Sequence, residues 1–314
     1  MRPVKPIYLI MLLVPLVWSS NFIVGKVLVQ SLPPFTITTA RFAVSLVILL
    51  IILQAGGLFR RPEKEMLLPL ALLGLSGVFG FNTILYFGLK YTTAVNSTII
   101  NAFSPISVAL LSALWLKENP GLKQLAGLLL SFLGVVIIAA RGSWEILVSL
   151  GLNPGDVLVF FDTLVWAFFT VLGKKVMSRL SPLETTTFAN LAGVLFLLPA
   201  MFYEWGGAVP AFSPVHCLAL VYLGVFASVL AFLGWNKGVS EIGPARAAAF
   251  YNLIPVYAAV LAFLLLGEKL YFYHLAGGLM VLSGVYLGIG EKEAAQAEKA
   301  RPAVGRPSKS AAPD

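Results

Sequence analysis

SPISVALLSALWLKEN (residues 104–119) and IPVYAAVLAFLLLGEK (residues 254–269) each set a proline within a long apolar run and carry a glutamate near the end. At an offset of 150, Pro105 falls on Pro255 and Glu118 on Glu268, then Leu125–Gly127 on Leu275–Gly277 and Gly134 on Gly284. Eleven of the 34 positions from Asn101 to Gly134 are identical at that offset. Shared leucines inflate the count, so the coincident Pro, Glu, Ala-Gly and Gly carry the argument. A second match lies upstream: WSSNFIVGKVLVQSLPPFTITT from Trp18 aligns with WAFFTVLGKKVMSRLSPLETTT from Trp166 at an offset of 148. The chain writes one unit twice.

What that unit is follows from composition. Of 314 residues, 59% are hydrophobic and only 11% charged, whereas a soluble domain carries about a quarter charged residues. Crossing about 30 Å of hydrocarbon takes roughly 20 apolar helical residues. Stretches of that kind give ten expected spans, at 7–29, 33–55, 67–89, 94–116, 122–140, 155–177, 182–203, 214–237, 243–266 and 271–290. The first has the basic lead and apolar centre of a signal peptide, but no small-residue cleavage site follows, so it reads as a retained span. The polar tail, residues 291–314, reads as disordered and cytoplasmic.

Lys and Arg gather on the cytoplasmic side of bilayers. With the N-terminus inside, seventeen basic residues of loops and tail fall on that side and three (Lys90, Arg141, Lys269) on the other. Both termini are therefore expected in the cytoplasm, in a cell (inner) membrane. The net charge of +8 then belongs to the membrane surface rather than to nucleic acid. Five is odd, so the second unit, residues 151–290, enters the bilayer upside down relative to the first, residues 1–150. The expected fold is all-α and integral to the membrane: ten transmembrane helices as two inverted five-helix repeats, an architecture shared by many secondary transporters.

At this point the chain resembles the EamA family of the drug/metabolite transporter superfamily. PLVWSSNFIVGK (15–26), PPFTITTARF (33–42) and the paired Pro…Leu-x-x-x-Glu helix ends carry the resemblance, over about residues 5–290. It implies secondary transport of small metabolites, often amino acids and often outward, through a central cavity lined by helices 1, 3, 4, 6, 8 and 9.

Candidate residues follow from the cost of polar groups in lipid. Asp162 is the one acidic residue deep in a span, and a carboxylate at mid-membrane costs about 2.5–3.5 kcal/mol on insertion scales. It reads as a substrate-ammonium or proton site, or as a structural or hydrated carboxylate. Arg41, at similar depth, is its candidate partner and shares the coupling role, or else braces backbone carbonyls or snorkels. Lys26 and Lys174 are repeat mates near span ends; Lys174 reads as snorkelling. Polar and aromatic residues at helical spacing mark faces turned from lipid: Trp18 and Asn21, Asn82 and Tyr86, Asn101 with Ser97 and Ser104, Asp162 and Trp166, Trp235 at the end of helix 8, and Tyr251 with Asn252. These are the substrate-binding candidates, with helix–helix glue as the alternative for each Asn. Trp144 and Trp205 read as interfacial anchors.

Pro105 and Pro255 each remove one backbone hydrogen bond and are expected to kink helices 4 and 9, as flexing points or fixed bends. Glu118 and Glu268 pair with nearby lysines or cap a helix of the other half. The glycines of helices 5 and 10 hold each half together or form a homodimer face. One cysteine, Cys217, and two histidines fit neither a disulfide nor a metal site, and no cofactor is expected. No G-x-x-x-x-G-K-[ST] loop appears, which disfavours ATP-driven transport. The functional reading is a secondary-active carrier working by alternating access, with protons as the candidate coupling ion. The rival readings are a facilitated exchanger or channel-like permease, and, less favoured, an intramembrane enzyme.

Overall fold

The computed structural model describes residues 6–89, 91–118, 120–151 and 153–289, without the side chains of residues 22, 23, 26, 27, 86, 89, 94, 95 and 266. Ten apolar helical rods follow one another: α1 (Pro6–Leu28), α2 (Pro34–Ala55), α3 (Lys64–Leu73, Gly74–Gly80 and Phe81–Leu89), α4 (Ala94–Asn101 and Ser104–Trp115) and α5 (Leu122–Ala139). After the short helix Trp144–Ser149 come α6 (Pro154–Val176), α7 (Pro182–Trp205) and α8 (Pro214–Tyr222, Leu223–Leu230 and Ala231–Ile242). The last two are α9 (Pro244–Ala249, Phe250–Asn252 and Leu253–Leu266) and α10 (Phe272–Ile289). Nine of the described helices have the length and apolarity of a membrane span, and Pro6–Asn21 within α1 is a shorter apolar one.

The starts obey local chemistry. Proline occupies the first turn of α2, α6, α7, α8 and α9, where its missing N–H would be unsatisfied anyway. Asn153, Ser181 and Ser213 close capping boxes ahead of α6, α7 and α8, removing orphan donors. α2 has no such cap of its own. Glu204, at the far end of α7, accepts from the N–H groups of Phe35 and Thr36 at 3.2 and 3.0 Å.

Two interruptions recur in both repeats. α3 and α8 each pass through a wide π-helical stretch, Gly74–Gly80 and Leu223–Leu230, a feature that leaves carbonyls available outside the regular ladder. α4 and α9 break at residues 102–103 and 250–252. Each interruption lies just ahead of the repeat's proline: Pro105 sits in the first turn of a new segment, and Pro255 follows a 3₁₀ turn.

Packing does not respect the boundary at 150. α1 lies against α8 and α9, α6 against α3 and α4, α2 against α7, and α5 along α10. Each repeat thus lends its first helix to the other, and the repeats are units of sequence rather than of packing. α5 and α10 run antiparallel: an ideal Cβ on Gly127 would meet Gly284 O at 2.5 Å, and one on Gly134 would meet Gly277 O at 2.6 Å. Exchanging the repeat mates 127/277 and 134/284 maps one approach onto the other. Gly74 likewise meets Ala189 and Gly193 of α7, while its mate Gly224 meets Arg41 and Val44 of α2. The glycines of α5 and α10 therefore join the two repeats to each other, which corrects the expectation of a seam inside each half or a dimer face.

Candidate functional site

The hairpins fix which helix ends share a side. The C-terminal ends of α1 and α3 lie beside the N-terminal ends of α2 and α4, and Gly88 of α3 touches Gly155 of α6. From that side, Asn21 lies seven residues from Leu28, Arg41 seven from Pro34, Asn82 seven from Leu89 and Asp162 eight from Pro154. At 1.5 Å per residue all four stand about 10–12 Å deep. They form one polar tier.

Within it, Arg41 Nη2 donates to Asn82 Oδ1 at 2.6 Å and Nη1 to Asn21 Oδ1 at 3.4 Å. Asn82 is itself oriented by Val78 O, which accepts from its Nδ2 at 2.7 Å and lies in the π stretch of α3. Asp162 is 0% exposed, and among the described residues neither carboxylate oxygen has a hydrogen-bond partner. Among the described residues no hydrogen bond joins Asp162 to its candidate partner Arg41, whose guanidinium donates to two amide oxygens. A buried carboxylate without a hydrogen bond costs several kcal/mol or more, so Asp162 is a costly group to keep in the interior.

Directly below the tier lie rings. Trp18, Trp166, Trp235 and Tyr251, from α1, α6, α8 and α9, meet with ring centroids 5.3–6.3 Å apart. Phe81 and Phe232 extend the cluster against Trp166. Trp18 Nε1 donates to Ala227 O at 3.3 Å, again a carbonyl of a π stretch. The indole nitrogens of Trp166 and Trp235 are buried without a partner among the described residues. Asp162 and Trp166 are one turn apart on one face, which joins the carboxylate to the aromatic tier. Such rings can hold a cation or a flat apolar group, and the two bare N–H groups can donate.

Other candidates lie elsewhere. Asn252 Nδ2 donates to Ser131 Oγ of α5 at 2.9 Å, so this group binds helix to helix. Asn101 Nδ2 donates to Ser97 Oγ of its own helix, at 3.4 Å. The Tyr86 and Lys26 side chains, Lys90 and the tail lie outside the described residues. Lys174 Nζ donates to Ser240 O at 2.6 Å rather than snorkelling away. Trp144 is exposed, as an anchor should be, but Trp205 Nε1 donates to Thr36 Oγ1 at 2.8 Å. Trp235 lies two turns inside α8, which runs on to Ile242.

Sequence reasoning missed a second polar group between α2, α7 and α8. Asn190 Nδ2 donates to Ser45 Oγ at 2.8 Å, Ser45 Oγ to Ser228 O at 3.0 Å, and Asn236 Nδ2 to Thr186 Oγ1 at 2.8 Å. Thr186, Asn190, Ser228 and Asn236 border a cavity of about 10 Å³. The signal was present, since Thr186 and Asn190 are four apart on a lipid-spanning helix.

Apolar helices of span length around a buried polar and aromatic centre mark a multi-pass membrane protein. Residues 5–140 and 153–289 match the EamA-like transporter family, once per repeat. The chain belongs to that family: it is a membrane transporter of a small-molecule substrate. It is 34% identical over 281 residues to an uncharacterized transporter of Archaeoglobus fulgidus, covering 89% of this chain and 96% of that one. It is 29% identical over 272 residues to a probable terminal-alkyne amino-acid exporter of Streptantibioticus cattleyicolor, covering 86% and 89%. A solved crystal structure superposes at a TM-score of 0.76 and 18% identity, over 90% of this chain and 97% of that one, which is a likeness of fold.

Proposed function

We propose that the protein is a secondary-active carrier that moves small amphipathic metabolites, amino acids among them, outward by alternating access. The observation that carries this reading is the convergence of Trp18, Trp166, Trp235 and Tyr251 beside Asp162, whose carboxylate has no hydrogen bond among the described residues. These residues come from four helices, α1 of the first repeat and α6, α8 and α9 of the second, so motion of α6 against the other three would open or close the site. The exporter named in Streptantibioticus cattleyicolor supports the substrate class. The antiparallel crossing of α5 and α10 supports the inverted arrangement of ten spans.

Asymmetry between repeat mates supports two access states. At one end, Ala109 of α4, Leu128 of α5 and Ala245 and Ala249 of α9 form a closed apolar seam, and Glu118 lies against Gly243, 3.3 Å from where its Cβ would stand. At the other end, the counterparts Ala259 and Ile99 are half-buried and Glu268 is exposed. With both termini cytoplasmic, the sealed end is the inner one and the polar tier faces outward. The contacts of α6 with α3 and α4, and of α1 with α8 and α9, support α3, α4 and α6 as one moving group and α1, α8 and α9 as the other. Asp162 is the group through which a proton would couple to substrate.

The test is counterflow in proteoliposomes with a panel of radiolabelled metabolites. Trans-acceleration of at least one solute is expected, and its absence for all sinks the carrier. If Asp162→Asn transports with an unchanged pH dependence, proton coupling through this residue is wrong and facilitated exchange replaces it.

A further inference from the structure

We infer that Lys174 is the latch of the sealed end: its bond to Ser240 O ties the group of α3, α4 and α6 to that of α1, α8 and α9, and breaks before that end opens. This rests on the carrier reading and names the residue that sets its resting state. Lys174 is a positioning residue in this scheme and touches no substrate.

Ser240 O is a carbonyl that α8 cannot satisfy from its own ladder. The residue four further on, whose N–H a continued helix would supply, is Pro244, which has none. Gly243, at φ 88°, gives its N–H to Val239 O at 3.2 Å. Ser240 O is therefore left at the negative end of the helix, where a cation is favoured, and Lys174 Nζ donates to it at 2.6 Å. Hydrogen bonds from an ionised donor are the stronger kind. Lys174 stands two residues from the end of α6 at Val176, and Ser240 two from the end of α8 at Ile242. At 1.5 Å per residue the bond lies roughly 12 Å beyond Trp166 along α6 and roughly 8 Å beyond Trp235 along α8, at the helix ends and away from the rings.

Where the bond runs gives it its role. Ser107 with Thr163 and Asn96 with Asp156 join α4 to α6, and Trp18 with Ala227 joins α1 to α8, so each of these stays within one group. Lys174 with Ser240 O crosses from one group to the other. It does so at the end closed by Ala109, Leu128, Ala245 and Ala249, three residues before Gly243, which Glu118 approaches from the end of α4. Apolar contact is non-directional, so the alanines favour closure without fixing its register. A hydrogen bond to a single carbonyl forms in one register, and the lysine supplies that geometry.

The test reads the seal by its accessibility, in purified full-length protein carrying Cys217→Ser. Ala245→Cys places a reporter thiol in the seal, and Ala140→Cys places a buried control at the far end of α5. The rate of modification by a polar maleimide is measured for each. Lys174→Met is expected to speed labelling at Ala245→Cys threefold or more and to leave Ala140→Cys unchanged. Lys174→Arg, which keeps a charged donor, is expected to restore most of the protection. Lys175→Met removes the same charge one residue on, from a side chain that lies over Trp115, and is expected to change neither rate. Lys174→Gln, the milder change, gives the same direction should Lys174→Met not fold. An unchanged rate at Ala245→Cys in the Lys174 variants overturns the inference. So does equal acceleration at both reporters, or by Lys175→Met. Counterflow by a protein that fails these tests sinks the latch and leaves the carrier standing, whereas absence of all counterflow sinks the carrier itself.

Discussion

Gly127 and Gly284 offer the sharpest test of how the two repeats are joined. A methyl group on Gly284 would stand 2.4 Å from Gly127 O and 2.6 Å from Ser131 N, and one on Gly127 would stand 2.5 Å from Gly284 O. Ordinary contact begins near 3.4 Å, so Gly284→Ala forces α5 and α10 apart by about 1 Å. The obstructing atoms are backbone, which cannot rotate away as a side chain can. Overpacking of this kind costs about 1–3 kcal/mol, or roughly 5- to 140-fold in the unfolding equilibrium. Gly278→Ala is the internal control, because its nearest neighbour is Val256 Cγ1 at 3.6 Å. Denaturant-induced unfolding in mixed micelles reads both variants. Gly127→Ala and Gly284→Ala share one approach, so the double variant should cost less than the sum. Equal stability of Gly284→Ala and Gly278→Ala would refute the close crossing.

Glu204→Gln should destabilise by about 0.5–2 kcal/mol, because it removes the charge from the two N–H groups that start α2; an unchanged unfolding midpoint would contradict this. Asp156→Ala removes hydrogen bonds to Asn153 N, Thr92 Oγ1 and Asn96 Nδ2, so a loss of about 1–3 kcal/mol is expected in the same assay. Asn252→Ala and Trp235→Ala separate glue from site. The first should lower the melting temperature with substrate affinity within about twofold. The second should weaken binding of the counterflow substrate about tenfold or more, the scale of roughly 1.4 kcal/mol. Asn82→Leu takes away the nearer acceptor of Arg41 and should raise the apparent Kd for the same substrate several-fold, and unaltered affinity would detach Arg41 from binding.

Spans, helix starts and the repeat were legible in the chain because each depends on local chemistry: apolar runs near 20 residues, first-turn prolines, capping Ser and Asn, recurring Pro and Gly. The aromatic candidates were legible too, since a Trp deep in a span and spaced with a polar residue must avoid lipid. Asn252 read as well as Asn82 did, and only their partners tell them apart. Asn82 holds Arg41, whereas Asn252 holds Ser131.

Sequence by itself determined a lipid-embedded all-helical chain made of one unit written twice, because hydropathy and turn chemistry act over a few residues. Tertiary structure alone decided that α1 and α6 cross into the other repeat, that Arg41 donates to two amide oxygens, and that π stretches free carbonyls for Trp18 and Asn82. The physical reason is range. Which helix a side chain meets depends on close approaches between backbones more than a hundred residues apart, set by glycines whose meaning appears only once their neighbours are in place.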